Sequence, residues 1–145
     1  MTRQAWTGLL LAAALALTGS AHAQGRDSVR IETIPVAPGV HMLIGDGGNI
    51  GVSSGPDGVL LIDGQSAAAT EKIRAAVAAF SDRPVRFLLN THWHGDHTGG
   101  NENWANAGAV IVAHDNVRRR MSTEQTIAGS GRKVPPAEMY MVLRV

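Results

Sequence analysis

The run Asn90-Thr91-His92-Trp93-His94-Gly95-Asp96-His97-Thr98-Gly99-Gly100 constrains this chain most tightly, because it places three of the six histidines and an aspartate within six positions. It follows the apolar residues 85–89, so the cluster falls where a strand ends and a loop begins. Residues two apart in an extended segment share a face, which lets His92 and His94 aim at one point. Gly95 is expected to turn the chain, so that Asp96 and His97 arrive from the far side with a carboxylate and a third imidazole. Imidazole and carboxylate without sulfur suit zinc best, and ferrous iron or manganese less well. The cluster has donors enough for two neighbouring ions. A zinc that keeps one position open lowers the pKa of water to about 7, which gives hydrolysis or a related attack on a polarised electrophile. A lone histidine is usually an ordinary loop or core residue; three beside an aspartate at this spacing are not.

The remaining pattern fixes the class. Apolar runs at 31–36, 40–44 and 50–53 stop at Pro38-Gly39, Asp46-Gly47-Gly48 and Gly55-Pro56-Asp57-Gly58, as in successive hairpins. Val59-Leu60-Leu61-Ile62 is apolar without alternation and predicts a strand covered on both faces, ending at Asp63-Gly64. Beyond Ser66, a candidate N-cap, Ile73, Ala76, Val77 and Phe80 recur at helical spacing. Residues 85–89 read as a second buried strand, Glu102-Asn103-Trp104 as a short helix, 109–112 as a strand and 115–121 as a helix. Strand, helix, strand, helix, strand implies crossovers packed on a sheet, so the class is α/β. Residues 123–133 are polar with Pro135-Pro136 after them, which predicts a mobile connector, and 139–145 form a short apolar stub.

The N-terminus carries Arg3, an apolar run at 9–17 and Ala21-His22-Ala23, the organisation of a secretory signal peptide cleaved after Ala23. The apolar core is shorter than the roughly 18 residues a spanning helix needs. The expected destination is a bacterial periplasm or the exterior, without a stable membrane anchor. With no cysteine, an exported chain has neither disulfides nor thiolate ligands and must rest on its core and any metal. Loss of Arg3 with the leader leaves twelve basic and twelve acidic residues, which gives no case for nucleic acid as a partner; a small-molecule substrate is expected. The layout is therefore a signal peptide at 1–23, a lead-in at 24–30, one domain at 31–122, and a connector and tail at 123–145.

Other motifs carry less. Gly51-Val52-Ser53-Ser54-Gly55 matches a nucleophilic-serine pattern, but that pattern needs a strand-to-helix elbow and here runs into a turn and another strand. Arg118-Arg119-Arg120 reads as a solvated helix face. Trp93 and Trp104 flank the cluster, as a pocket wall or as packing beneath the loop.

The run Thr91-His92-Trp93-His94-Gly95-Asp96-His97-Thr98-Gly99-Gly100-Asn101 resembles the H-x-H-x-D-H signature of the metallo-β-lactamase superfamily, flanks included. Leu60-Leu61-Ile62-Asp63-Gly64 is similar to that family's strand ending in a buried aspartate. The resemblance covers about 31–121 and implies the first half of an αβ/βα sandwich, two facing sheets with helices outside and metals at one edge. It implies His92 and His94 as ligands of a first zinc, and Asp96 and His97 as ligands of a second. Asp96 would also handle protons, and Asp63 would support the ligand loop. The family's downstream ligands have no counterpart here. His114, the sole later histidine, falls where the family has a non-ligand, so the sequence reads as a member truncated or frame-shifted near Arg132. Half a sandwich leaves an apolar sheet face uncovered, and self-association through it is expected. The implied function is an exported zinc-dependent hydrolase acting on a β-lactam, thioester, lactone or ester. A non-catalytic remnant or metal-binding module, and an iron-dependent redox member, are the alternatives.

Overall fold

The computed structural model describes residues 29–137 and 142–144. The expected signal peptide lies outside the described residues. Three antiparallel pairings open the sheet, joining β1 (Glu32–Ala37), β2 (Val40–Ile44), β3 (Asn49–Gly55) and β4 (Gly58–Ile62) in sequence order. From β4 the pairing turns parallel, through β5 (Val85–Asn90) and β6 (Val110–Ala113). Parallel neighbours need crossovers. Helix α1 (Thr70–Ala78) makes the first, and α2 (Gly95–Thr98) with α3 (Asn101–Asn106) make the second. The class is α/β.

One face of this sheet is dry. Leu43, Ile50, Val52, Val59, Leu61, Leu88 and Ile111 form a single cluster with Ile73 and Val77 of α1 and Trp104 of α3. The other face is uncovered, as half a sandwich leaves it, although the two central strands by their own composition read otherwise. The two strands read as covered on both sides are covered on one, since Ile62 and Phe87 remain 39% exposed. Their apolar composition suits two covers, but α1 and α3 both pack from the same side. Val40, also 39% exposed, extends the uncovered apolar surface to β2.

Three local readings change as well. Ser66 begins a 3-10 turn, Ala67–Ala69, without a side-chain cap, and α1 starts only at Thr70. The segment read as a connector contains a small hairpin, β7 (Gln125–Thr126) against β8 (Lys133–Val134), after helix α4 (Asp115–Met121). It is tied back by the Ala137 amide, which donates to the Met121 carbonyl at 2.8 Å. The apolar stub supplies β9 (Val142–Arg144), which adds to the sheet edge parallel to β6. Ser53 lies inside β3, paired with Val40 and Leu60, so no nucleophile elbow exists there.

Candidate metal centre

Strand β5 delivers the chain into the histidine loop from the covered face of the sheet, with Leu88 and Asn90 buried and His92 two residues on. His94 stands at the N-cap of α2, and its carbonyl accepts the amides of His97 and Thr98, both at 3.0 Å. Gly95 turns the chain by opening this helix, without a left-handed φ. The first helical turn itself carries Asp96 and His97 back towards His92. The His92 ring lies 4.0 Å from that of His97 and 4.7 Å from that of His94, centroid to centroid. Asp96 Oδ2 is 3.4 Å from His97 Nε2.

Asp63 organises the loop from behind. Its buried carboxylate accepts from the Thr91 amide at 2.9 Å and from the Thr91 hydroxyl at 2.7 Å, and it meets His97 Nδ1 at 2.8 Å. An ionised carboxylate only accepts, so His97 must carry a proton on Nδ1, and in the neutral ring Nε2 is then the lone pair. The Thr91 hydroxyl has spent its single proton on Asp63. Its 3.1 Å contact with His92 Nδ1 therefore requires a proton on that nitrogen, which frees His92 Nε2 too. One carboxylate thus sets two tautomers.

The support is bought with backbone strain. Asp63 and Gln65 hold φ values of 67° and 53°, left-handed positions that cost a non-glycine residue about 1 kcal/mol or more each. Strand β4 is stitched at this point to the start and end of the loop region. The Asp63 amide donates to Leu89, Gly64 to the His97 carbonyl, and Gly100 to the Gln65 carbonyl, at 2.8 to 2.9 Å. Gly100 is required for that approach, because a Cβ there would sit 2.6 Å from the Gly64 carbonyl oxygen. Asn90 and Asn101, both buried, exchange reciprocal amide hydrogen bonds of 3.1 and 2.8 Å beneath the loop.

The pKa of His92 is lowered from its ordinary 6.5, first by burial and then by the charges that His97 and His94 would carry. The sign follows from proton linkage: the unfolded chain binds a proton that the folded loop resists. His92 therefore contributes a stability margin present above pH 6.5 and lost as the pH falls below it. Thermal melts taken from about pH 7.5 down to about pH 5.5 should show a shallower acid-side decline in His92→Gln than in the parent chain.

The donor set fits zinc in kind: three imidazoles, two of them held by Nδ1 so that Nε2 faces outward from the support, and a carboxylate, on one loop. As placed, the imidazoles lie against one another. Among the described residues, no three His, Asp or Glu side chains are spaced as ligands of one ion, so binding requires side-chain rotation. His114 stands apart, capping α4 with Nδ1 as acceptor of the Asn116 amide at 3.1 Å. Trp104 is core, whereas Trp93 lies edge-on to His94 and under the Arg120 guanidinium, 5.9 Å from its ring centre. Trp93, Thr98, Arg120 and Met121 line a cavity of about 500 Å³ between the loop, the end of α4 and the β7–β8 hairpin. None of the three histidines faces it.

Sequence reasoning passed over Thr91, Gln65, Asn90 and Asn101 as actors. The available signals were a polar Asn90 closing an apolar strand and an Asn101 opening a helix directly after two glycines.

Comparison with known proteins accords with this geometry. A linear primary-alkylsulfatase of Pseudomonas sp. is 28% identical over 81 residues, which cover 51% of this chain and 15% of that protein. A metallo-β-lactamase of Cronobacter sakazakii superposes with a TM-score of 0.63 at 26% identity, over 77% of this chain and 47% of its own. MEM-A1, a subclass B3 metallo-β-lactamase from a soil metagenome library, shares the fold with a TM-score of 0.65 at 24% identity, over 79% and 46%. The chain thus spans less than half the length of each of these relatives. The model of the metallo-β-lactamase superfamily matches residues 43–135, which take in the whole histidine loop and its Asp63 support, and the chain belongs to that superfamily.

Proposed function

We propose that this chain carries the zinc-binding loop of an exported hydrolase of the superfamily, acting on a β-lactam, thioester, lactone or ester bond. The carrying observation is the Asp63–Thr91 network, which engages Nδ1 of both His92 and His97 and so leaves Nε2 of each neutral ring as the nitrogen to meet a metal. His92 and His94 would hold one ion, and Asp96 and His97 a second. Zinc, when bound, supplies Lewis acidity that activates water near neutral pH. The chain's own part is to keep His92 neutral, to orient His97 through Asp63, and to place the half-exposed Asp96 beside His97 Nε2, where it can take or return a proton. The alkylsulfatase relative adds sulfate esters to the substrates worth assaying.

Elemental analysis of the purified chain, with nitrocefin, a thioester and an alkyl sulfate as substrates, tests this reading. Stoichiometric zinc with turnover supports it, in which case His92→Ala should weaken zinc binding about 100-fold and abolish turnover. Iron in place of zinc would move the chemistry to the redox alternative. A second reading, a non-catalytic remnant, is favoured by the unconverged donor atoms. No bound zinc and no activity on any of the three substrates would select it.

A further inference from the structure

The turn between β2 and β3, residues 45–48, lies across the histidine loop. A Cβ added to Gly47 would come within 2.9 Å of Asp96 Cβ, and one added to Gly48 within 3.3 Å of His97 Cε1. The turn is therefore in van der Waals contact with two of the side chains on which the proposed function rests. It has no apolar side chain of its own with which to hold that position, being Gly45-Asp46-Gly47-Gly48. What holds it is Gln65. The Gln65 side-chain amide donates to the Gly48 carbonyl, and the Gln65 backbone carbonyl accepts from Gly100, so one residue bridges the turn to the far end of the ligand loop.

Two features distinguish this from an incidental buried amide. Gln65 is 2% exposed yet sits at a φ of 53°, where glycine or asparagine would fit with less strain, and neither has its reach. Gly45 is fitted to it in turn, since a methyl there would collide with the Gln65 amide. We infer that Gln65 is a positioning residue that pins the 45–48 turn over Asp96 and His97 and so sets how open that side of the site is to solvent. The pin acts through the turn and does not touch the reacting groups.

The test is made on the metal-free chain by nuclear magnetic resonance, so it does not depend on zinc binding or turnover. Gln65→Met keeps length and removes the donor. Backbone order parameters of Gly47 and Gly48 are expected to fall from the rigid range near about 0.85 to below about 0.6, with Leu43 and Ile50 unchanged. Broadening of the His97 Cε1 proton by a soluble paramagnetic agent should roughly double as the turn lifts. Gly45→Ala, which crowds the Gln65 amide from the other side, should do the same and serves if Gln65→Met does not fold. A turn that stays rigid in every variant that folds, or one that loosens without exposing His97, overturns the inference. Absence of zinc from the parent chain would overturn the proposed function alone.

Discussion

Asp63→Ala is expected to destabilise the chain by about 4 kcal/mol and to lower its melting temperature by about 15 °C, as read by circular dichroism. The carboxylate is 5% exposed and gathers the Thr91 amide, the Thr91 hydroxyl and His97 Nδ1. A hydrogen bond to a charged acceptor contributes about 1.5 to 3 kcal/mol, and removal strands three donors that water reaches only partly. Alanine gains nothing back, because the left-handed φ of 67° is as costly for it as for most residues. Asp63→Asn separates the contributions. It tolerates that conformation and keeps an acceptor, but it cannot take all three donors, so about half the loss should remain. Zinc affinity, measured by chelator competition, should fall 10- to 100-fold in either variant through loss of the His97 orientation. A melting temperature for Asp63→Ala within about 2 °C of the parent would remove Asp63 from the argument.

Asp63 also marks where the sequence stops being legible. The α/β class follows from local signals: apolar runs between glycine and proline turns, and helical spacing at Ile73, Ala76 and Val77. Helix α4 falls on its expected bounds because Asp115 opens it and the apolar spacing is local. Strand β9 was not legible, because its partner Ile111 lies about thirty residues back and no periodicity in three residues records that pairing. The uncovered face of β4 and β5 was legible only through the family resemblance, as half of a sandwich. Composition states that a strand is apolar on both sides, but not which side the helices reach. The histidine cluster declares its chemistry by residue type alone. Asp63 was legible only through family resemblance, Asn90 and Asn101 only as polar residues at the ends of elements, and Gln65 not at all, since each has a partner 11 or more residues away. Polar side chains of this kind look solvated until the fold buries them.

The Asn90–Asn101 pair tests whether those buried amides act as one unit. Each residue is at least 95% buried, and the two side chains exchange a donor and an acceptor: Asn90 Nδ2 to Asn101 Oδ1, and Asn101 Nδ2 to Asn90 Oδ1. Asn90 Nδ2 also donates to the His97 carbonyl at 3.2 Å, but that oxygen keeps the Gly64 amide at 2.9 Å and is not orphaned by a mutation. The cost therefore concentrates in the surviving amide. Asn90→Ala leaves the Asn101 amide buried with an unmet donor and an unmet acceptor, for a loss of about 3 kcal/mol, and Asn101→Ala should cost about the same. The double variant removes both polar groups and strands neither, so its loss should be no greater than that of either single variant, at most about 3 kcal/mol, and short of the additive value by at least about as much. Urea unfolding of the four chains measures this coupling directly. Losses that add within about 0.5 kcal/mol would mean that water satisfies each amide separately and that the β5 end of the loop is wet. A strong coupling would make the pair a second anchor of the histidine loop, independent of Asp63 and placed beneath it.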